Sequence, residues 1–183
     1  MLRRRLQEES SLRVIDFGAT SSTNVNFLTG LGHSIFIAGA LENAWSGAWQ
    51  TGTDEEGNPV WNVEGFLSES LNFSGRVFDV VLLWTTFDYL PRPLVAPVAA
   101  HLFEAMHPGG QVLAFFHTRT EGGETAYCRF HVTDGDEVEM QPAGPFPFQQ
   151  AFTNRGIDQL FAAWSDHRQF LAKDSISELI ITR

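Results

Sequence analysis

Residues 13–38 spell strand, helix, strand with short connections, and no other feature limits the possible folds of this chain so much. Arg13-Val14-Ile15-Asp16-Phe17-Gly18 is a β-branched and aromatic run that ends at a glycine. The loop Ala19-Thr20-Ser21-Ser22 follows. Residues 23–32 then read as a helix that Ser22 or Thr23 can cap and that Gly30 and Gly32 end. Residues 33–38 form the second strand. Two strands joined by a helical crossover of this kind lie parallel in one sheet, with a right-handed connection. The fold class expected is α/β.

The later segments extend that sheet. Phe78-Asp79-Val80-Val81-Leu82-Leu83-Trp84 is apolar almost throughout, as a strand covered on both faces must be. Residues 94–106 place Leu94, Val95, Val98, Leu102, Phe103 and Met106 on one helical face, and His107-Pro108-Gly109-Gly110 stops that helix. Residues 111–117 are the next strand. Residues 126–132 and 138–141 flank Asp134-Gly135 and read as a hairpin. Pro142, Pro145 and Pro147 mark an extended connector, and a helix over 154–164 with strands over 167–173 and 176–182 completes the chain. Residues 39–75 are rich in Gly, Asn and acids, and one short helix near 65–71 is expected there with little else. The domain expected spans 13–183, with the hairpin as an insertion near 126–141. Residues 1–12 are expected to be an N-terminal arm, frayed or helical, that carries Arg3, Arg4 and Arg5. No apolar stretch follows these arginines, so the start does not read as a secretory signal.

Charge and cysteine content narrow the partners. The net charge of −10 argues against general affinity for nucleic acid or an anionic membrane. No apolar run is long enough for a membrane span. One cysteine, Cys128, allows neither an intrachain disulfide nor a cysteine-based zinc cluster, which fits a reducing, cytoplasmic setting. The 43% of hydrophobic residues, with 16 Phe and 5 Trp, supply a full core and leave aromatics for an interface. A protein partner is therefore expected at the arginine-bearing arm or at an aromatic surface.

This succession of segments resembles the class I S-adenosylmethionine-dependent methyltransferases. Asp16-Phe17-Gly18 matches the first motif of that family, Phe78-Asp79-Val80-Val81-Leu82 its fourth, and His107-Pro108-Gly109-Gly110-Gln111-Val112-Leu113 its fifth region. The resemblance implies a Rossmann-like three-layer sandwich whose mostly parallel sheet has an antiparallel last strand, here 177–182. It also implies S-adenosylmethionine as cofactor and no metal. The cofactor site would draw on Asp16, Gly18, Thr20, Ser21, Glu42, Trp84 and Thr85. Asp16 would hold the ammonium, the hydroxyls of Thr20 and Ser21 the carboxylate, Glu42 the ribose, and Trp84 with Thr85 would line the adenine or substrate pocket. The physical basis is a crevice at the carboxyl ends of the strands, where glycine lets backbone approach the ligand.

Departures from that pattern keep a second function open. No second glycine follows Gly18, and no acidic residue stands at 38–40, where the ribose carboxylate belongs. Losing two charge-strengthened hydrogen bonds, each about 1.5–3 kcal/mol, would weaken binding roughly 100-fold or more. Two readings follow. One is a small methyltransferase that tolerates an eroded loop and acts on a small molecule or a protein side chain. The other is a catalytically inactive relative that serves as an interaction or structural subunit. A nicotinamide-binding βαβ protein is disfavoured, since Gly-x-Gly-x-x-Gly is absent. No catalytic residue follows from the resemblance. His117 is placed to act as a general base where its strand opens into the crevice, and His131 is expected to meet it across strands. Asp88 and Tyr89 lie close in sequence to that mouth. Cys128 reads as strand packing, and Asp134, Asp136, Glu137 and Glu139 as a solvated hairpin tip.

Overall fold

The computed structural model of the chain describes residues 2–118, 126–133, 135, 137–171 and 176–183. Its elements in chain order are α1 (Leu2–Glu8), β1 (Arg13–Asp16), α2 (Ser22–Gly30), β2 (Ser34–Ile37), α3 (Ala40–Ala44), β3 (Gln50–Thr53), β4 (Pro59–Trp61) and α4 (Val63–Gly65), which runs into a π-helical turn (Phe66–Ser70). Then come β5 (Phe78–Trp84), α5 (Thr86–Tyr89), α6 (Arg92–Glu104), β6 (Met106–His117), β7 (Cys128–Val132), β8 (Val138–Pro142), α7 (Asn154–Leu160), β9 (Asp166–Leu171) and β10 (Ile176–Thr182). A six-stranded sheet has the order β2-β1-β5-β6-β10-β9, while β3-β4 and β7-β8 form separate two-stranded ribbons. From β2 to β6 the pairs are parallel, and β10 is antiparallel to both of its neighbours. The expected α/β sandwich, mostly parallel with an antiparallel last strand, is the fold observed.

The strand periodicity of two sorts β5 between two cores. Val81 and Leu83 join one with α3, α6 and α7. Val80, Leu82 and Trp84 join the other with α1, α2 and the β7–β8 hairpin. On the second side the layer is thin. α1 is seven residues long, and its buried Leu2 and Leu6 lie with Leu28 of α2 and Phe130 of β7. The segment expected as an arm is thus a helix seated on the sheet, where the Arg5 guanidinium donates to the Asp79 and Gly109 carbonyls at 3.4 and 3.0 Å. Among the described residues no helix is long and apolar enough to cross a membrane.

Several boundaries differ from expectation for identifiable reasons. Residues 39–75 hold α3 and the β3–β4 ribbon besides the helical turns near 65–71. Ala40, Leu41 and Ala44 are too few to carry a period, yet all three are buried. The helix of 23–32 starts at Ser22 because Ser21 Oγ accepts from the Asn24 N–H. The strand expected over 111–117 begins at Met106, for a bulge moves the register from Phe78↔Met106 to Val80↔Gln111 and takes Pro108 and Gly109 into the strand. α7 ends at Leu160, not at 164, since the Ser165 N–H turns to the Thr182 carbonyl at 2.9 Å. The expected end of β9 past Leu171, and Asp134 and Asp136 of the hairpin tip, lie outside the described residues.

Gly110 shows why the Pro-Gly-Gly turn needs its last glycine. A Cβ there would stand 2.8 Å from the His107 carbonyl, 2.8 Å from Met106 Cε and 3.3 Å from the Asp79 carbonyl. We expect Gly110→Ala to destabilise the chain by about 1–3 kcal/mol in urea unfolding, because backbone on two sides cannot yield.

Candidate functional site

The crevice expected at the carboxyl ends of the strands is built from the ends of β1 and β5. Asp16, the last residue of β1, is 1% exposed. Its Oδ1 accepts from the Gly18 N–H at 2.9 Å and from the Trp84 indole N–H at 2.8 Å. Its Oδ2 is buried and makes no hydrogen bond among the described residues. Burial raises the carboxyl above its ordinary value, and the donors from Gly18 and Trp84 oppose that shift. Trp84 ends β5 in the left-handed region, at φ 51, a costly backbone state for a residue with a bulky side chain. Packing holds it there. Its indole stacks on Phe130 at 5.2 Å and 3° from parallel, and meets Phe115 edge-on at 5.6 Å. A Cβ on Gly18 would fall 2.5 Å from Trp84 Cδ1. The room that this glycine leaves is filled by the indole.

The hairpin closes over the same place. Asn24 of α2 donates from Nδ2 to the Phe130 carbonyl at 2.9 Å, and its Oδ1 accepts from the Val132 N–H at 2.8 Å. Ser21 Oγ, besides capping α2, is 2.7 Å from His131 Nδ1. Tyr127, at the foot of β7, is buried against Tyr89 and Phe146 at 5.2 Å each. Burial and then the Glu42 carboxylate push its hydroxyl well above the usual tyrosine range, while the Ala19 backbone N–H and the Thr86 side chain bond it and pull the other way. Trp84 and Tyr127 thus both pack against the loop that leads from β1 into α2.

A second polar group stands where β6 ends. Asp88 of α5 is fully buried, and its Oδ2 lies 2.5 Å from His117 Nδ1 and accepts the His117 backbone N–H at 2.9 Å. Asp88 Oδ1 has no partner among the described residues. Burial pushes the Asp88 carboxyl up to about 6, against the pull of His117. The imidazole is 15% exposed and packs edge-on to Phe148 at 5.5 Å. A histidine oriented at Nδ1 by a buried carboxylate is the arrangement of a general base.

No protein-family profile matches the chain, and no curated protein matches it by sequence. Solved structures do match it. TehB from Haemophilus influenzae aligns at TM-score 0.51 and 14% identity, over 100% of this chain and 61% of TehB, so the chain spans less than two thirds of that protein. An S-adenosylmethionine-dependent methyltransferase from Mesorhizobium loti aligns at 0.52 and 10% identity, over 100% of this chain and 95% of the other. A Burkholderia thailandensis 1,6-didemethyltoxoflavin-N1-methyltransferase with bound S-adenosylhomocysteine aligns at 0.51 and 13% identity, over 94% of this chain and 70% of the other. The fold is that of the class I methyltransferases.

In that fold the residues expected to hold S-adenosylmethionine fall into two groups. Asp16, Gly18, Ser21, Trp84 and Thr85 do come together, but their contacts are with one another and with the hairpin. Asp16 is buried beneath the indole, Ser21 is taken up by the cap and by His131, and Trp84 stands where Gly18 would let a ligand approach. Thr85 is buried at the start of α5, Thr20 is exposed, and Glu42 is an exposed residue of α3. His117 and His131 do not meet. The first bonds Asp88 and the second Ser21. Tyr127, Phe130 and Asn24 are the site residues that sequence reasoning missed. Alternation in β7 marks Phe130 as facing inward, but nothing local says what it faces. Among the described residues no three His, Cys, Asp or Glu are grouped as metal ligands.

Two outcomes are expected from this geometry. Trp84→Phe keeps a ring but removes the donor to Asp16, and should cost about 1–3 kcal/mol in urea unfolding. Asp88 stabilises the fold most in its protonated form. Its carboxyl is raised from 3.8 to about 6, so this contribution is complete below about 3.8 and lost as pH rises through about 6. Between about pH 4 and 7 the wild type should lose roughly 3 kcal/mol relative to Asp88→Asn, read from unfolding curves of both proteins across that range.

Proposed function

We propose that this chain is a methyltransferase-fold protein that does not use S-adenosylmethionine and works by binding a partner or ligand. The observation that carries this reading is the Trp84 indole, which fills the space over Gly18 and is tied to Asp16 at 2.8 Å. A nucleoside in the family's manner would have to displace an indole that is 1% exposed, break its hydrogen bond and unstack it from Phe130. The missing second glycine and the missing ribose carboxylate support the same conclusion.

A second reading, methyl transfer to a small molecule or a protein side chain, is favoured by the Asp88–His117 pair alone. In that reading His117 would accept the proton of the substrate nucleophile, with Asp88 positioning the ring.

Calorimetric titration separates the two. With either S-adenosylmethionine or S-adenosylhomocysteine, no heat is expected up to millimolar ligand. Binding at micromolar concentration would overturn the proposal and restore the catalytic reading.

A further inference from the structure

The thin side of the sheet carries a cavity of about 440 Å³ that the crevice does not include. Leu6, Phe27, Trp84, Leu113, Phe170 and Ile180 are among its lining residues, which come from α1, α2, the hairpin and four strands of the sheet. Phe170 of β9 is 46% exposed. A cavity of this size, with largely apolar walls, is within the usual range of small-molecule sites, roughly 300–1,000 Å³.

Glu178 is the feature that apolar packing does not explain. It sits on β10, registered against Phe115 of β6 on one side and Phe170 of β9 on the other. Directly paired residues of antiparallel strands share a face, so this carboxylate belongs to a row whose other members are phenylalanines. It is half-buried, lines the cavity, and makes no hydrogen bond or ion pair among the described residues. A carboxylate set in an apolar row is a local inconsistency of the kind found at functional positions. Among the described residues the other charged groups lining the cavity are Arg3 and Glu137.

We propose that this cavity binds an organic cation with an apolar, preferably aromatic body, and that Glu178 is its counter-ion. Phe27 and the 46% exposed Phe170 bring aromatic rings to the cavity, and an ammonium group would pair with Glu178. A fatty acid would set a second carboxylate against Glu178, and a neutral lipid would leave that carboxylate unpaired. The net charge of −10 raises the local concentration of cations further. This site lies on the sheet face, and its counter-ion Glu178 is on β10, away from the ends of β1 and β5 that build the crevice.

Three probes of one shape test it, namely tryptamine, indole-3-ethanol and indole-3-acetate, followed by the methyl NMR signals of Leu113 and Ile180 in the full chain. Tryptamine should bind about tenfold tighter than indole-3-ethanol, and indole-3-acetate weakest. Glu178→Gln should remove the preference for the cation, and Phe170→Ala should weaken all three probes together. In wild-type protein the preference should also shrink between 50 mM and 1 M salt, a readout that needs no variant to fold. Equal affinity for tryptamine and indole-3-ethanol, unmoved Leu113 and Ile180 signals at millimolar probe, or a preference that survives Glu178→Gln would each overturn the proposal.

Discussion

The hydrogen bond from the Trp84 indole to the Asp16 carboxylate joins the ends of the two central strands, and the neighbouring features lean on it. A carboxylate 1% exposed at a strand end needs donors, and the chain supplies two, one from the Gly18 backbone and one from the indole. To reach Asp16, Trp84 accepts a left-handed backbone at the close of β5, which also turns the chain toward α5. The exposed face of the indole is then covered by Phe130, and Phe130 is held by the two bonds of Asn24 to β7. A single side chain thereby couples strand end, glycine loop, helix cap and inserted hairpin.

Much of the scaffold was legible before any coordinates. β1, α2, β2, β5 and α6 carry clear periodicities or unbroken apolar runs, and their order points to a parallel sheet. The segments that escaped are short or depend on distant partners. α3 has five residues, fewer than two turns, so no amphipathic period can form in it. β6 begins early because a bulge, a property of pairing and not of composition, absorbs Pro108 and Gly109. The hairpin was readable as a hairpin, but its docking onto α2 was not, since Asn24 and His131 form bonds across more than a hundred residues of sequence. What local sequence does not show is that the space over Gly18 is lined by Trp84, a residue 66 positions away whose backbone state no propensity rule anticipates.

The methyltransferase architecture is kept, and at the strand-end crevice Asp16, Gly18 and Trp84 contact one another. Polarity survives at two other places. Asp88 and His117 form a buried pair behind an aromatic group of Tyr89, Tyr127 and Phe148. Glu178 stands among rings on the opposite face. Asp88 Oδ1 is buried without a hydrogen-bond partner among the described residues, and Glu178 is half-buried in an apolar row.

Trp84 belongs to two compartments at once, sealing one with its N–H edge and walling the other beside Leu82 and Leu113. It is a party wall. A molecule lodged on the sheet side would brace the indole from behind and tighten the seal on the strand-end side, while any change that loosened the seal would deform the neighbouring room. The two compartments share one ring, so a substitution at Trp84 reshapes both.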